Sequence, residues 1–261
     1  MVQVQMLPIN QDNYCYVVHL GSTTVLIDPG DAQQVLQYIK RHGGKLSLIL
    51  NTHMHQDHCQ GNDELKRLTG CTIIGPDKRI PAVDYVLTDE QSLAQVDCGL
   101  EDSVKNALEV IYTPGHTAAD CCYYWPATAT SPGALFSGDT LFSGGCGRIF
   151  EGSVEDMFNS LQRLKALPPE TLLYCGHEYT LDNYRFAEAI EPHSVVVREK
   201  LRAVQVQRER GEATIPVRLA EELVTNPFLR TDDLALRQAM KLEDASSLEV
   251  FTELRKRKDR F

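Results

Sequence analysis

Polar and apolar residues alternate along much of the first 180 residues, which is typical of β-strands with one buried face. A short apolar run at 46–50, preceded by two glycines, predicts a buried strand, and helical spacing at 33–41 and 154–167 predicts helices beside the sheets. Shorter alternating segments predict further strands, among them 93–96, and a hairpin whose turn is formed by residues 21 and 22. From about residue 181 the apolar positions follow only helical spacing, in the segments 183–190, 195–211, 218–223, 232–240 and 247–257. We therefore predict an α/β domain over residues 1–178 and an all-helical domain over 179–261.

Three histidines and one aspartate follow the predicted strand 46–50 within six positions: His53, His55, Asp57 and His58. His53 and His55 are two residues apart, so in an extended chain their side chains face the same side, whereas on a helix they would point about 200° apart. Asp57 and His58 are adjacent, so we expect them to point differently from each other and from the first pair. One loop can thus present two sets of ligands to two neighbouring metal ions.

Three further candidate ligands each follow a predicted strand: His116, Asp139 and His177. Imidazole and carboxylate groups are ligands of first-row divalent metals, and seven of them exceed the four of a tetrahedral structural site. The set suits two metals that share a carboxylate and keep an open bridging position. Two such ions lower the pKa of a shared water towards neutrality, so the predicted chemistry is metal-assisted hydrolysis by a hydroxide.

The amino-acid composition limits the classes to which this protein can belong. The 261 residues are 43% apolar and 24% charged, which is ordinary for a globular protein, and the formal net charge of −10 disfavours a general nucleic-acid binder. No apolar run approaches the ~20 residues that span a bilayer. The N-terminal residues alternate as in a strand rather than a targeting peptide, and the eight scattered cysteines favour reduced thiols, so we expect a cytoplasmic protein. Cys59 follows His58 directly and is a further ligand candidate, but a small residue at the start of a helix is the better interpretation, because the ligand set is complete without it.

The HxHxDH loop and the three later ligands resemble the metallo-β-lactamase superfamily. Within it the chain is most similar to the glyoxalase II, or hydroxyacylglutathione hydrolase, family, and the similarity extends over essentially the whole chain. The supporting segments are 12–16, 113–117, 138–142, 145–148, 175–180 and 226–230. The resemblance implies an αβ/βα sandwich of two mixed sheets flanked by helices, followed by a C-terminal all-helical domain.

The resemblance also implies a role for each ligand. One metal would be held by His53, His55 and His116. The second would be held by Asp57, His58 and His177. Asp139 would bridge the two, so that Asp57 and Asp139 hold the metals whose bridging hydroxide is the nucleophile. Zinc is the first expectation, and the same ligands accept iron or manganese.

The substrate that the resemblance implies is a glutathione thioester, typically S-D-lactoylglutathione, which is hydrolysed to glutathione and D-lactate in the degradation of methylglyoxal. The residues that match the family's glutathione-binding positions are Arg148, Tyr179, Arg255 and Lys258. A thiol leaving group has a pKa near 8.5 and departs without a dedicated acid. The chain departs from the family at Phe150, where a tyrosine is common, and Arg148 replaces a lysine of some members.

Several alternatives remain open on the sequence. They are another thioesterase or lactonase of the same fold, a mononuclear iron persulfide dioxygenase, and a metal-stabilised binding module without catalysis. A dioxygenase would not need the second metal's ligands, and a β-lactamase with a cysteine ligand would carry cysteine in place of Asp139. We expect a monomer that binds a small-molecule thioester and neither nucleic acid nor membrane.

Overall fold

A computed structural model describes residues 3–20, 23–88, 93–98 and 101–261. The chain forms two compact units that interleave along the sequence. The first unit combines Met1–Tyr112 with Ala119–Gly138, and the second combines Thr113–Ala118 with Asp139–Phe261. The domain boundary near residue 178 is a different division of the chain and stays a prediction.

The first unit contains a six-stranded mixed sheet whose strands follow one another in chain order. Its strands are β1 (Gln3–Ile9), β2 (Asn13–Leu20), β3 (Thr23–Ile27), β4 (Lys45–Leu50), β5 (Thr72–Gly75) and β6 (Tyr85–Val86). The first three strands are antiparallel, and β3 to β6 are parallel. Because Ile27 pairs with Leu50, β3 and β4 end side by side, which brings Asp28 next to the start of the candidate ligand loop.

Three antiparallel strands of the first unit face this sheet: β7 (Glu109–Tyr112), β8 (Cys121–Trp125) and β9 (Ala134–Gly138). The ring of Tyr16 on β2 lies 5.3 Å from the ring of Phe136 on β9, and every residue of β8 and β9 is buried. Tyr123 also donates its hydroxyl to the carbonyl of Asn51 at 2.8 Å. Strand ends that carry candidate ligands are thus anchored on a packed core.

The helices of the first unit are α1 (Ala32–His42), α2 (Gln56–Cys59), α3 (Asn62–Thr69) and α4 (Asp102–Lys105). Asp31 caps α1 by accepting from the amides of Gln33 and Gln34, so the predicted helix at 33–41 is confirmed. Val35 on α1 and Leu65 on α3 are fully buried, and each such burial contributes about 1.5–3 kcal/mol.

Two predictions for this unit are not confirmed. The predicted strand at 93–96 is wrong: Leu93–Gln95 is a single helical turn, closed by the amide of Val96 on the carbonyl of Leu93. Leu93 is buried and the next two residues are exposed, so the segment does not alternate between a buried and an exposed face as a strand would. The predicted hairpin turn at residues 21 and 22 lies outside the described residues.

The second unit contains the hairpin of β10 (Leu141–Phe142) and β11 (Gly145–Cys146), and the strand pair β12 (Leu172–Cys175) and β13 (Val217–Arg218). Its helices are α5 (Val154–Lys165), α6 (Thr180–Ile190), α7 (Val195–Glu209), α8 (Leu219–Thr225), α9 (Leu234–Met240) and α10 (Ser247–Lys258). The helices predicted after residue 181 are therefore confirmed, while the two-residue strand β13 was missed because it has no pattern of its own.

All eight cysteines are thiols in the core, in agreement with the predicted reduced state. Among the described residues, no helix has both the length and the apolar character needed to cross a membrane.

Candidate metal centre

His53 and His55 in the first unit point towards a common position. The Nε2 atom of His53 lies 3.1 Å from the Nδ1 atom of His55. Two nitrogens that bind one metal at about 2.0–2.1 Å in tetrahedral geometry stand about 3.3 Å apart. The two imidazoles are therefore spaced as neighbouring ligands of a single ion.

Asp57 and His58 lie on the one-turn helix α2, so part of the predicted ligand loop is helical. The expectation that these neighbours point apart is wrong for their ligand atoms, because the Nε2 atom of His58 lies 3.4 Å from the Oδ2 atom of Asp57. Asn13 donates its side-chain amide to the same carboxylate oxygen at 2.7 Å and holds it in place. This pair is also spaced as two ligands of one ion.

Asp28 orients the candidate ligands from the end of β3. Its Oδ1 atom accepts from the backbone amide of Thr52 at 2.8 Å, and its Oδ2 atom accepts from the Thr52 hydroxyl at 2.6 Å and from His58 Nδ1 at 2.9 Å. A carboxylate on one imidazole nitrogen leaves the other nitrogen to bind a metal and raises its basicity. Asp28 also lies within 4.8 Å of His53 and His58 as a possible ligand, but three protein donors already occupy its oxygens.

Asn51 and Cys59 fix the backbone around these ligands. Asn51 donates to the carbonyl of His58 at 3.0 Å and accepts from Asn62 at 2.8 Å. The Cys59 thiol is directed at the carbonyls of Met54 and His55, and burial raises its pKa to about 12. Cys59 therefore supports the loop as a neutral thiol, which favours a structural role over a role as metal ligand.

The second unit brings His116, Asp139 and His177 together from three separate chain segments. The Oδ2 atom of Asp139 lies 3.6 Å from the Nε2 atom of His116 and 3.3 Å from the Nε2 atom of His177. The three ligand atoms are thus close enough to serve the same ion or two neighbouring ions. His116 directs its Nδ1 atom at the carbonyl oxygen of Arg148, 2.7 Å away; a carbonyl only accepts, so the proton is on Nδ1 and Nε2 offers a lone pair.

Gly147 allows this close approach. A Cβ atom at Gly147 would stand 1.9 Å from the carbonyl oxygen of Asp139 and 3.1 Å from His116 Nδ1. Any larger residue would push the segment away from both ligands, so the glycine is required by space rather than by backbone conformation.

A cavity of about 310 Å³ in the second unit contains two of these ligand candidates and all four predicted substrate-binding residues. Its lining is His116, Asp139, Phe142, Cys146, Arg148, Phe150, Tyr179, Asn183, Arg255 and Lys258. The volume is at the lower end of the range for small-molecule sites. Three cationic side chains beside candidate metal ligands make this a cavity for an anionic molecule.

The three cations of the cavity are held in different ways. Arg148 is exposed over 58% of its side chain and lies 3.6 Å from Asp259. Arg255 is buried and donates to the carbonyls of Cys146 and Gly147 and to Asp259. The ammonium of Lys258 lies 3.2 Å from the carbonyl of Asp182 and over the rings of Phe186 and Phe261, and burial lowers its pKa. Arg148 is therefore the cation best able to turn towards a ligand, whereas Arg255 also supports the backbone.

Comparison with known proteins decides the family. The sequence profile described as metallo-beta-lactamase superfamily matches residues 11–177, and the profile described as hydroxyacylglutathione hydrolase C-terminus matches residues 178–261. Hydroxyacylglutathione hydrolase of Methylococcus capsulatus is 43% identical over 100% of this chain and 99% of its own length. That of Brucella anthropi is 41% identical over 100% of this chain and 97% of its own length. The chain belongs to the hydroxyacylglutathione hydrolase family.

The predicted fold class is thereby confirmed: the protein has the metallo-β-lactamase fold, with mixed sheets flanked by helices and a helical C-terminal region. Among solved structures, ETHE1 from Myxococcus xanthus superimposes with a TM-score of 0.64 over 97% of this chain and 90% of its own. At 24% identity that likeness shows the fold alone. As a member of this family the chain is a metal-dependent hydrolase.

Phe150 shows where this member of the family departs from the expected pattern. Its ring is 59% exposed and meets the His116 ring edge-on, with centroids 5.3 Å apart. Tyr179 instead stacks flat on His177, with centroids 4.5 Å apart and planes 5° from parallel. Both aromatic residues thus lie against candidate metal ligands, but only the tyrosine brings a hydroxyl to the cavity.

Sequence reasoning missed three residues of the cavity lining, namely Phe142, Cys146 and Asn183. The two glycines between Ser143 and Cys146 were the available signal for Phe142 and Cys146, because they indicate a tight turn beside Asp139. Asn183 gives no signal, since it lies within an ordinary helical pattern.

Proposed function

We propose that this protein hydrolyses the thioester bond of S-2-hydroxyacyl-glutathiones, with S-D-lactoylglutathione as the typical substrate, and so acts in methylglyoxal degradation. The observation that carries this proposal is a single cavity lined both by metal-ligand candidates and by cations. Curated relatives that share the full length of the chain carry the name hydroxyacylglutathione hydrolase. Glutathione conjugates are anionic and require local positive charge on a protein whose net charge is −10.

The ligand assignment follows the family pattern, and the geometry within each unit supports it. His53 and His55 supply two nitrogens for one metal, and Asp57 with His58 supplies a pair for a second. We assign His116 to the first metal, His177 to the second, and Asp139 as the bridging ligand. Imidazoles and carboxylates without cysteine fit a catalytic site of zinc, iron or manganese, with zinc as our first choice.

Two divalent ions in such a site supply a hydroxide at neutral pH and polarise the thioester carbonyl. The chain's own residues orient the ligands and bind the substrate. Asp28 and the Arg148 carbonyl keep the Nε2 atoms of His58 and His116 directed outward. Arg148, Tyr179, Arg255 and Lys258 bind the glutathione part, and Arg255 also holds the wall of the cavity. The leaving thiolate needs no proton from the protein, given its pKa near 8.5.

Residues 1–178 then form the catalytic domain and residues 179–261 the substrate-binding domain. The exposed apolar ring of Phe150 takes the place of a hydroxyl that would contact the glutathione backbone. We therefore expect glutathione itself to bind less tightly to this protein than to its Phe150→Tyr variant. The predictions of a monomer and of a cytoplasmic location belong to this proposal.

The test is hydrolysis of S-D-lactoylglutathione, followed by the loss of thioester absorbance, with metals counted on the same preparation. We expect turnover with close to two metals per chain. Two bound metals without turnover would refute the substrate and direct attention to other thioesters and to lactones. One iron per chain with oxygen uptake on glutathione persulfide would replace the hydrolase by a dioxygenase.

A further inference from the structure

Glu222 on α8 is a fully buried carboxylate that no part of the proposed reaction uses. Its Oε1 atom accepts from the Ser143 hydroxyl at 2.7 Å and from the Tyr184 hydroxyl at 3.0 Å. Its Oε2 atom accepts from the amide of Gly144 at 2.7 Å and from the side chain of Asn226 at 3.2 Å. Burying a carboxylate costs free energy, and the four donors offset that cost. They also hold the carboxylate and the donor groups in one fixed arrangement.

Two of these donors belong to the tip of the hairpin of residues 139–148, and other side chains from the helical region hold the same hairpin. Asn226 donates to the carbonyls of Phe142 and Gly145, both at 3.1 Å. Further donors are the Asn183 side chain on the Ser143 carbonyl and the Arg255 guanidinium on the Cys146 and Gly147 carbonyls. The backbone of the hairpin is thus satisfied by groups that lie 40 to 109 positions further along the chain.

The two ends of this hairpin touch the candidate metal centre. Asp139 begins it and presents the oxygen that lies between His116 and His177, while Arg148 ends it and accepts from His116 Nδ1. Phe142 and Cys146, on its two strands, line the cavity. A shift of the hairpin tip would therefore move a cavity wall and the segment that carries a candidate ligand.

We propose that Glu222 is a positioning residue of the active centre, which fixes the hairpin of residues 139–148 and through it the cavity wall and the setting of Asp139. The consequence for kinetics rests on the proposed hydrolysis, whereas the consequence for the hairpin does not. The helical C-terminal region thereby shapes the reacting end of the site in addition to binding glutathione.

The geometry distinguishes two substitutions at this position. The Gly144 amide and the Asn226 side-chain amide can only donate here, so the oxygen of a glutamine must face them. Its NH2 group then faces the hydroxyls of Ser143 and Tyr184, which can accept. Glu222→Gln therefore keeps all four contacts, whereas Glu222→Ala leaves a buried backbone amide without an acceptor.

Glu221 offers a matched control on the same helix. Its carboxylate is 47% exposed and pairs with Lys200 at 2.6 Å, away from the hairpin. We would compare Glu222→Ala, Glu222→Gln and Glu221→Ala by steady-state kinetics, metal content, and hydrogen exchange of a peptide that covers residues 140–149, each on the folded metal-loaded protein.

We expect Glu222→Ala to lower kcat/KM by about 10–100-fold, as is typical when a group that orients a metal site is removed. Faster exchange of the peptide that covers residues 140–149 should accompany this loss, because the Gly144 amide loses its acceptor. Glu222→Gln and Glu221→Ala should stay close to the unsubstituted protein in both measurements. Ser143→Ala removes one donor to Glu222 and leaves the backbone contacts, so its hairpin peptide should exchange only slightly faster than that of the unsubstituted protein. This variant provides a second test if Glu222→Ala does not fold.

The proposal is overturned if folded Glu222→Ala has unchanged kcat and KM and unchanged hairpin exchange, since Glu222 would then contribute stability alone. It is also overturned if Glu222→Gln is as impaired as Glu222→Ala. A protein that does not hydrolyse the thioester refutes the proposed function instead, and the exchange comparison still decides whether Glu222 fixes the hairpin.

Discussion

The two sets of candidate ligands are built by different means. In the first unit the four candidate ligands occupy positions 53 to 58, and side chains hold two of them: Asp28 holds His58, and Asn13 holds Asp57. In the second unit His116, Asp139 and His177 come from three separate segments. His116 is oriented there by the backbone carbonyl of Arg148. A side-chain partner can be removed by substitution, but a backbone partner remains whatever residue stands at that position.

This difference determines how each set responds to mutation. The first set depends on a few identifiable side chains, so single substitutions should disturb its metal affinity directly. In the second set, His116 and Asp139 depend on the path of the Gly115 turn and of the hairpin, so we expect their geometry to change when something displaces that backbone. A Cβ atom at Gly115 would stand 2.6 Å from the Cα atom of Met157, which shows how closely that turn is packed on α5.

The largest effects should come from removing one ligand of each set, with His53→Ala and His177→Ala. We expect each to lower turnover of the thioester by about a thousandfold or more, because several kcal/mol of charge stabilisation disappear with a metal. Metal counting should show fewer than two ions per chain in both variants. His42→Ala is the matched control, since His42 is an exposed residue at the end of α1 whose ring nitrogen contacts the carbonyl of Tyr38. Full turnover with two metals in either ligand variant would remove that residue from the centre.

The two sets of candidate ligands also differ in how much of them could be predicted from the sequence. The strand Lys45–Leu50 and the closeness of the candidate ligands after it could be predicted, because these residues lie within six positions directly after an apolar run. His116, Asp139 and His177 were predicted as single residues at strand ends, and the structure brings them together. What could not be predicted depends on long-range contact: Glu222 lies 79 positions from Ser143, and nothing in its helix marks it as different from Glu221.

Two substitutions with effects of intermediate size should distinguish side-chain support of a ligand from backbone support. Asp28→Asn weakens the contact that orients His58 and should lower metal affinity by about 10–100-fold. Arg148→Ala keeps the carbonyl that accepts from His116, so it should leave metal content unchanged and raise KM by about tenfold through the lost cation. Metal titration and steady-state kinetics on both variants measure this. Arg185→Ala, an exposed arginine paired with Asp182, serves as the control for loss of a cation. If Arg148→Ala lost metal while Asp28→Asn retained it, the distinction between the two sets would be wrong.

The smallest effect should come from Ser153, which caps α5 beside the turn that carries His116. Its hydroxyl accepts from the amide of Asp156 and donates to that carboxylate, which in turn accepts from the Ser153 amide. Ser153→Ala should cost about 1 kcal/mol of unfolding free energy with kcat and KM unchanged, because the packing of α5 on the turn remains. Urea denaturation and steady-state kinetics on the same samples would measure both.

The pH dependence of this cost has a definite sign. The hydrogen bonds from Ser153 lower the pKa of Asp156, so their stabilisation is present above the ordinary pKa of an aspartate and is lost as pH falls through the lowered value. The difference in unfolding free energy between the unsubstituted protein and Ser153→Ala should therefore be largest near neutral pH and shrink below about pH 4. A change in kcat or KM of Ser153→Ala at neutral pH would contradict this prediction. It would show that a lower stability of α5 is enough to displace the second ligand set.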